Sequence, residues 1–141
     1  MGKDVIVSDV RTLNKLLNPE VLSSIQNLDL EMIVLDWLKL NSVQQSLCIK
    51  HGICSVTLTE KEVIETFQVY QQDANHSVCI EQYGALVYAI RHDAFFASFN
   101  PLIQKLGEKF GIAQYWLIDG KDCLLPIYTV NGLINSNYIA V

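Results

Sequence analysis

With 141 residues the chain is long enough for one ordinary domain with a core of its own. Ten basic residues against fifteen acidic ones leave a net charge of −5. The basic residues are scattered, which excludes the clustered basic face that nucleic acids and anionic membranes require. Half the residues are hydrophobic and only 18% are charged, against about 25% in an average soluble domain.

The opening "MGKDVIVSDV" has no basic segment leading into an apolar stretch, so no signal peptide is expected. From about residue 9 to 73 the apolar residues recur at helical spacing. Val10, Leu13, Leu16 and Leu17 make a first stripe, and Asn18, Pro19 and Glu20 are suited to cap and start a second helix carrying Val21, Leu22, Ile25 and Leu28. In "LEMIVLDWLKL", Leu30, Ile33, Val34, Trp37 and Leu38 fit a helix that is apolar over most of its circumference. Ser42 can cap a further helix of about two turns, which Gly52 stops. Thr59 and Glu62 form a capping box ahead of Val63, Ile64, Phe67 and Tyr70.

From about residue 76 to 141 the apolar residues fall into short runs divided by turn residues. "SVCIEQ" and "ALVYAIRH", on either side of Tyr83 and Gly84, predict a hairpin. Asn100 and Pro101 open a helix carrying Leu102, Ile103, Leu106 and Phe110. "AQYWLI", "CLLPIYTV" and "LINSNYIAV", joined by "DGKD" and "NG", predict a three-strand meander. The expected fold is α+β. An N-terminal layer of four to five helices packs on a C-terminal five-stranded antiparallel sheet of order ββ-α-βββ, all in a single domain over 1–141.

Cys48, His51, Cys54, His76 and Cys79 are all metal-ligand types, and two Cys with one or two His can close a tetrahedral zinc site. The same residues could supply a thiol nucleophile and its base. Against this, Cys54 lies past the Gly52 break, and free cysteine is otherwise a small buried hydrophobe. The stretch "QSLCIKHGICSVTLTEKEV" has helix-turn-helix spacing, but its second helix offers three Glu and one Lys to a polyanion. No phosphate-binding loop, dinucleotide fingerprint, zinc-protease or nucleophile-elbow signature is present.

The apolar surplus points to a subunit interface, a partner groove or a ligand cavity. Trp37, Tyr115, Trp116, Tyr128 and Tyr138 are anchor types for an interface. The expectation is a non-catalytic binding or regulatory module, an adaptor acting through an apolar protein–protein interface and self-associating as a homodimer. It needs no cofactor, nucleic acid or membrane, and it is cytoplasmic with reduced cysteines. The alternatives are a zinc- or thiol-dependent protein and, third, a helix-turn-helix DNA-binding regulator.

Overall fold

Strands and helices alternate along this chain. The computed structural model describes residues 3–19, 22–23, 30–73, 78–98, 100, 102–103, 105–106, 114–117, 124–130 and 133–136. The elements are β1 (Lys3–Val7), α1 (Val10–Leu16), β2 (Leu30–Leu35), α2 (Ser42–Lys50), β3 (Cys54–Val56), α3 (Glu60–Asp73), α4 (Ile80–His92) and β4 (Phe95–Ala97). They are followed by β5 (Gln114–Leu117), β6 (Leu124–Val130) and β7 (Leu133–Ser136).

The heart of the sheet is four strands in the order β3-β2-β1-β4, every neighbouring pair parallel. The expected α+β fold, with a helical layer on a five-stranded antiparallel sheet, is therefore corrected to a layered α/β arrangement. β5 joins β4 in parallel, and antiparallel pairing is confined to β5–β6 and β6–β7 beyond it.

Two segments account for most of the correction. "LEMIVL" is β2, a strand rather than a helix, with Met32, Ile33, Val34 and Leu35 all buried. A strand inside a parallel sheet is covered on both faces, so it reads as a continuous apolar run. Such a run has no period that separates it from a buried helix. "IEQYGALVYAIRH" is the converse case, one helix, α4, where a hairpin was expected.

Gly84 makes no turn in α4. It lets the helix approach the sheet, since a Cβ there would stand 2.9 Å from Leu35 Cδ1, 3.2 Å from Trp37 Cζ3 and 3.3 Å from Leu58 Cδ1. Residues 82–89 of α4 are buried without interruption. The helix packs on β1, β2 and β4 and is covered by α3.

Helix ends follow local chemistry. Asp9 caps α1 by accepting from the Thr12 N–H. Asn41, one residue before the expected Ser42, caps α2 in a reciprocal box with Gln44. Thr59 N–H donates to Glu62 Oε1 at 2.8 Å, and Glu62 N–H donates to Thr59 Oγ1 at 3.2 Å. Gly52 has φ +69, the left-handed conformation in which α2 gives way to β3. The core centres on Ile6, Val7, Leu13, Leu35, Tyr83, Leu86 and Phe96.

Candidate functional site

A parallel sheet with strand order 3-2-1-4 reverses direction between β1 and β4. From β1 the chain builds outward through β2 to β3, then crosses back to lay β4 on the other side of β1. The strands that follow β1 and β4 in the chain, β2 and β5, lie toward opposite edges of the sheet, and such a divergence is where open α/β sheets hold ligands.

Here the two strand ends are joined by Ser8 N–H donating to Ala97 O at 3.0 Å. α4 runs back along the sheet to β4, so its first turn stands at this same end. Seven polar or charged residues are buried among the described ones. Four of them, Ser8, Thr12, Gln82 and Ser98, gather at this end, so the polar part of the interior is localised rather than dispersed.

Two hydrogen-bonded groups face each other across the β1–β4 boundary. On the β1 side, Asp9 Oδ1 accepts from the Thr12 N–H at 3.0 Å and from the Ser8 hydroxyl at 3.3 Å. On the β4 side, Asn100 N–H donates to Ser98 Oγ at 3.1 Å, and Asn100 Oδ1 accepts from the Leu102 N–H at 3.0 Å. Asn100 Nδ2 then donates to Gln82 Oε1 at 3.3 Å, tying β4 to the first turn of α4. Close by on the rim, Gln44 Nε2 donates to Asn14 Oδ1 at 2.8 Å and joins α2 to α1.

The field at this end is negative. The Cys79 thiol, at the start of α4, is pushed above its ordinary pKa by desolvation and then by the charges of Glu81 and Asp9. The Cys79 side chain makes no capping hydrogen bond to α4.

The candidate ligands read from the sequence are spread out. Cys48 is buried in α2, with its thiol raised by that burial. Cys54 is exposed at the start of β3, where its Sγ donates to Gly52 O at 3.8 Å. Cys79 is exposed and belongs to the β1–β4 end, and His76 lies outside the described residues. His51 and Cys54 do share a depression of about 240 Å³, with Leu30, Glu31, Met32 and Ile53 among its other walls. Among the described residues, however, no group of three or more His, Cys, Asp or Glu is placed to hold a metal ion.

Of the expected interface aromatics, Trp37 is half-buried and packs against the core beside Gly84. Tyr115 and Trp116 stand in β5 opposite Pro126 and Leu125, and Tyr128 stands in β6 opposite Asn135. Tyr138 lies outside the described residues.

A second feature lies where α3 crosses the end of α4, a groove of about 610 Å³ lined by Thr59, Glu62, Ile64, Gln68, Arg91 and His92 among others. Arg91 Nε donates to both oxygens of Glu65, at 2.9 and 3.1 Å. The His92 ring stacks on Tyr88 with centroids 4.1 Å apart.

Ser8, Asp9 and Gln82 were not singled out by their residue types, and Asn100 only as the opening of a helix. The usable signal was "VIVSD" directly before a helical stripe, which is an apolar strand running into a capping pair.

No family model, curated protein or solved structure matches this chain. No helix among the described residues is long and apolar enough to cross a membrane.

Proposed function

We propose that this chain is a binding domain that holds a small polar ligand where β1 and β4 diverge, and that it acts by binding rather than by catalysis. The observation that carries this reading is the gathering of Ser8, Thr12, Gln82 and Ser98, all buried, at the carboxyl ends of β1 and β4, where the strand order reverses. Asp9 is the one carboxylate among the residues that make this network, and hydroxyls and amides supply the rest. Such a set recognises hydrogen-bonding groups well and lacks the paired titratable groups that general acid–base chemistry uses. Cys79 strengthens the point, because a thiol raised above its ordinary pKa is a poor nucleophile at neutral pH. An intracellular setting belongs to this proposal, supported by Cys48, Cys54 and Cys79 as free thiols.

The test is a screen of small neutral, cationic and anionic compounds, followed by amide correlation spectra of isotope-labelled protein. Hits that shift Ser8, Asp9, Thr12, Gln82 and Asn100 together support the proposal. Hits that map only to the α3–α4 groove, or to the depression at His51 and Cys54, overturn it.

One observation favours a second reading, a protein–protein interface used for self-association. Ile64 and Phe67 lie on one face of α3 and are 54% and 50% exposed, large values for side chains of this type. Sedimentation velocity across a concentration series tests this. A single monomeric species at high protein concentration removes it.

A further inference from the structure

Among the described residues, the hydrogen bonds at the β1–β4 end leave one buried donor without an acceptor. Asn100 Oδ1 is fixed as the oxygen because it accepts from the Leu102 N–H. Asn100 Nδ2 is then the atom facing Gln82, so the Gln82 atom that meets it is Oε1. This chain of assignments turns Gln82 Nε2 and its two hydrogens away from Asn100. No partner for them exists among the described residues, although Gln82 is only 4% exposed. A buried amide nitrogen left in this way is destabilising unless something accepts from it.

Across the boundary, Asp9 has the opposite need. Its Oδ1 already takes two hydrogen bonds, from Thr12 and Ser8. Oδ2 of this half-buried carboxylate is left to accept another. Asp9 follows β1 and Asn100 follows β4, while Gln82 reaches Asn100 from the first turn of α4, and the Asp9 charge is felt at Cys79, three residues before Gln82. A donor and an acceptor therefore stand at the same end of the sheet, one at the start of α1 and one at the start of α4.

These facts restrict what fits. An anion would meet the negative charges of Asp9 and Glu81, the same charges that act on Cys79. A cation would satisfy Asp9 but face the two hydrogens of Gln82. A neutral group able to donate on one side and accept on the other satisfies both. Two adjacent hydroxyls do so, one giving its proton to Asp9 and its neighbour accepting from Gln82.

We infer that the ligand of this site is a neutral molecule bearing vicinal hydroxyls, such as the ribose of a nucleoside, gripped between Asp9 Oδ2 and Gln82 Nε2. The inference rests on the binding reading above, and its test separates the two.

Uridine is titrated into the isotope-labelled full chain, with deoxyuridine and uridine monophosphate as comparisons, and the side-chain amide signal of Gln82 is followed. The expected result is a saturable shift of that signal with uridine, and binding weaker by about tenfold or more for deoxyuridine, which lacks one of the paired hydroxyls. The monophosphate binds more weakly than uridine. Asp9→Asn keeps an acceptor for the α1 cap and weakens uridine by about tenfold, with an unchanged melting temperature. Gln82→Met removes the amide at similar volume and abolishes the shift that uridine causes in the backbone amide signals of Asp9 and Asn100.

If the signal stays still with uridine but moves with another screened compound, the diol is overturned and the binding reading stands. A signal that moves with no compound, and exchanges only with water, ends both. Equal binding of uridine and deoxyuridine also overturns the diol.

Discussion

Glu62 and His92 meet across the α3–α4 boundary, with Oε2 of the carboxylate 2.8 Å from Nε2 of the imidazole. The carboxylate belongs to a buried residue, while the His92 side chain is 44% exposed. Burial pushes the Glu62 carboxyl up. The Thr59 backbone N–H and hydroxyl, together with His92, outweigh that and hold it below its ordinary value. A carboxyl with a depressed folded-state pKa contributes stability above its unfolded value, about 4.3, and loses it as the pH falls through the folded value. Urea denaturation across a pH series should therefore show stability falling below about pH 5. The Glu62→Gln variant should lose less stability than wild type over that acid range, starting from a lower value at neutral pH. An acid limb of the same slope in both proteins would contradict this.

Gly84→Ala sets two effects of opposite sign against each other. Alanine in a helix interior gains about 1 kcal/mol over glycine. The added Cβ would lie 2.9 Å from Leu35 Cδ1, and Leu35 is 1% exposed. Overpacking of a tight core costs about 1–3 kcal/mol. The clash should prevail, with a net loss of about 1 kcal/mol in chemical denaturation. Gly84→Val should cost more. A stabilised Gly84→Ala protein would show that α4 and β2 separate more easily than their contact implies.

Asp9 serves as both a cap and a candidate ligand group, and two substitutions separate these roles. Asp9→Ala removes the acceptor for the Thr12 N–H and should cost about 1 kcal/mol. Asp9→Asn keeps an acceptor and should cost a few tenths at most. Thermal denaturation of the pair decides the order.

Phe67 is exposed on α3 and makes little of the core. Phe67→Ser should leave stability within about 0.5 kcal/mol of wild type. If α3 forms an interface between copies, the same change should shift the sedimentation profile toward monomer while the melting curve of the dilute protein stays in place.

Cysteine reactivity should follow burial and charge. Cys54 is exposed, whereas Cys48 and Cys79 both have thiols raised above their ordinary values. In single-cysteine variants at mildly alkaline pH, a thiol reagent should modify Cys54 first and Cys79 next. Cys48 should react only as the protein opens. Fast modification of Cys48 would mean that α2 lifts readily from the core.

The sequence was most legible where a few neighbouring residues decide the outcome. The Thr59–Glu62 box, the stop at Gly52 and the stripe of α1 are local chemistry and were readable directly. β2 and α4 were misread for one shared reason. Both are surrounded by protein, and a segment covered on every side has no solvent face to impose a period. Gly84 compounded the error, because a glycine that permits close packing and one that permits a turn are identical in sequence. The candidate site was illegible for a different reason. Asp9, Gln82 and Asn100 are far apart in the chain, and only the return of β4 to the side of β1 brings them to one end of the sheet.

The continuous burial of residues 82–89 gives α4 no outer side. A helix on the surface can unwind a turn at a time into water, but α4 can do so only after α3 has left it or the sheet has parted. Loss of α3 would bare an apolar rod in the middle of the molecule. The two helices should therefore melt together, with the amides of α4 among the slowest to exchange, and proteases should find no partially opened form to cut between them.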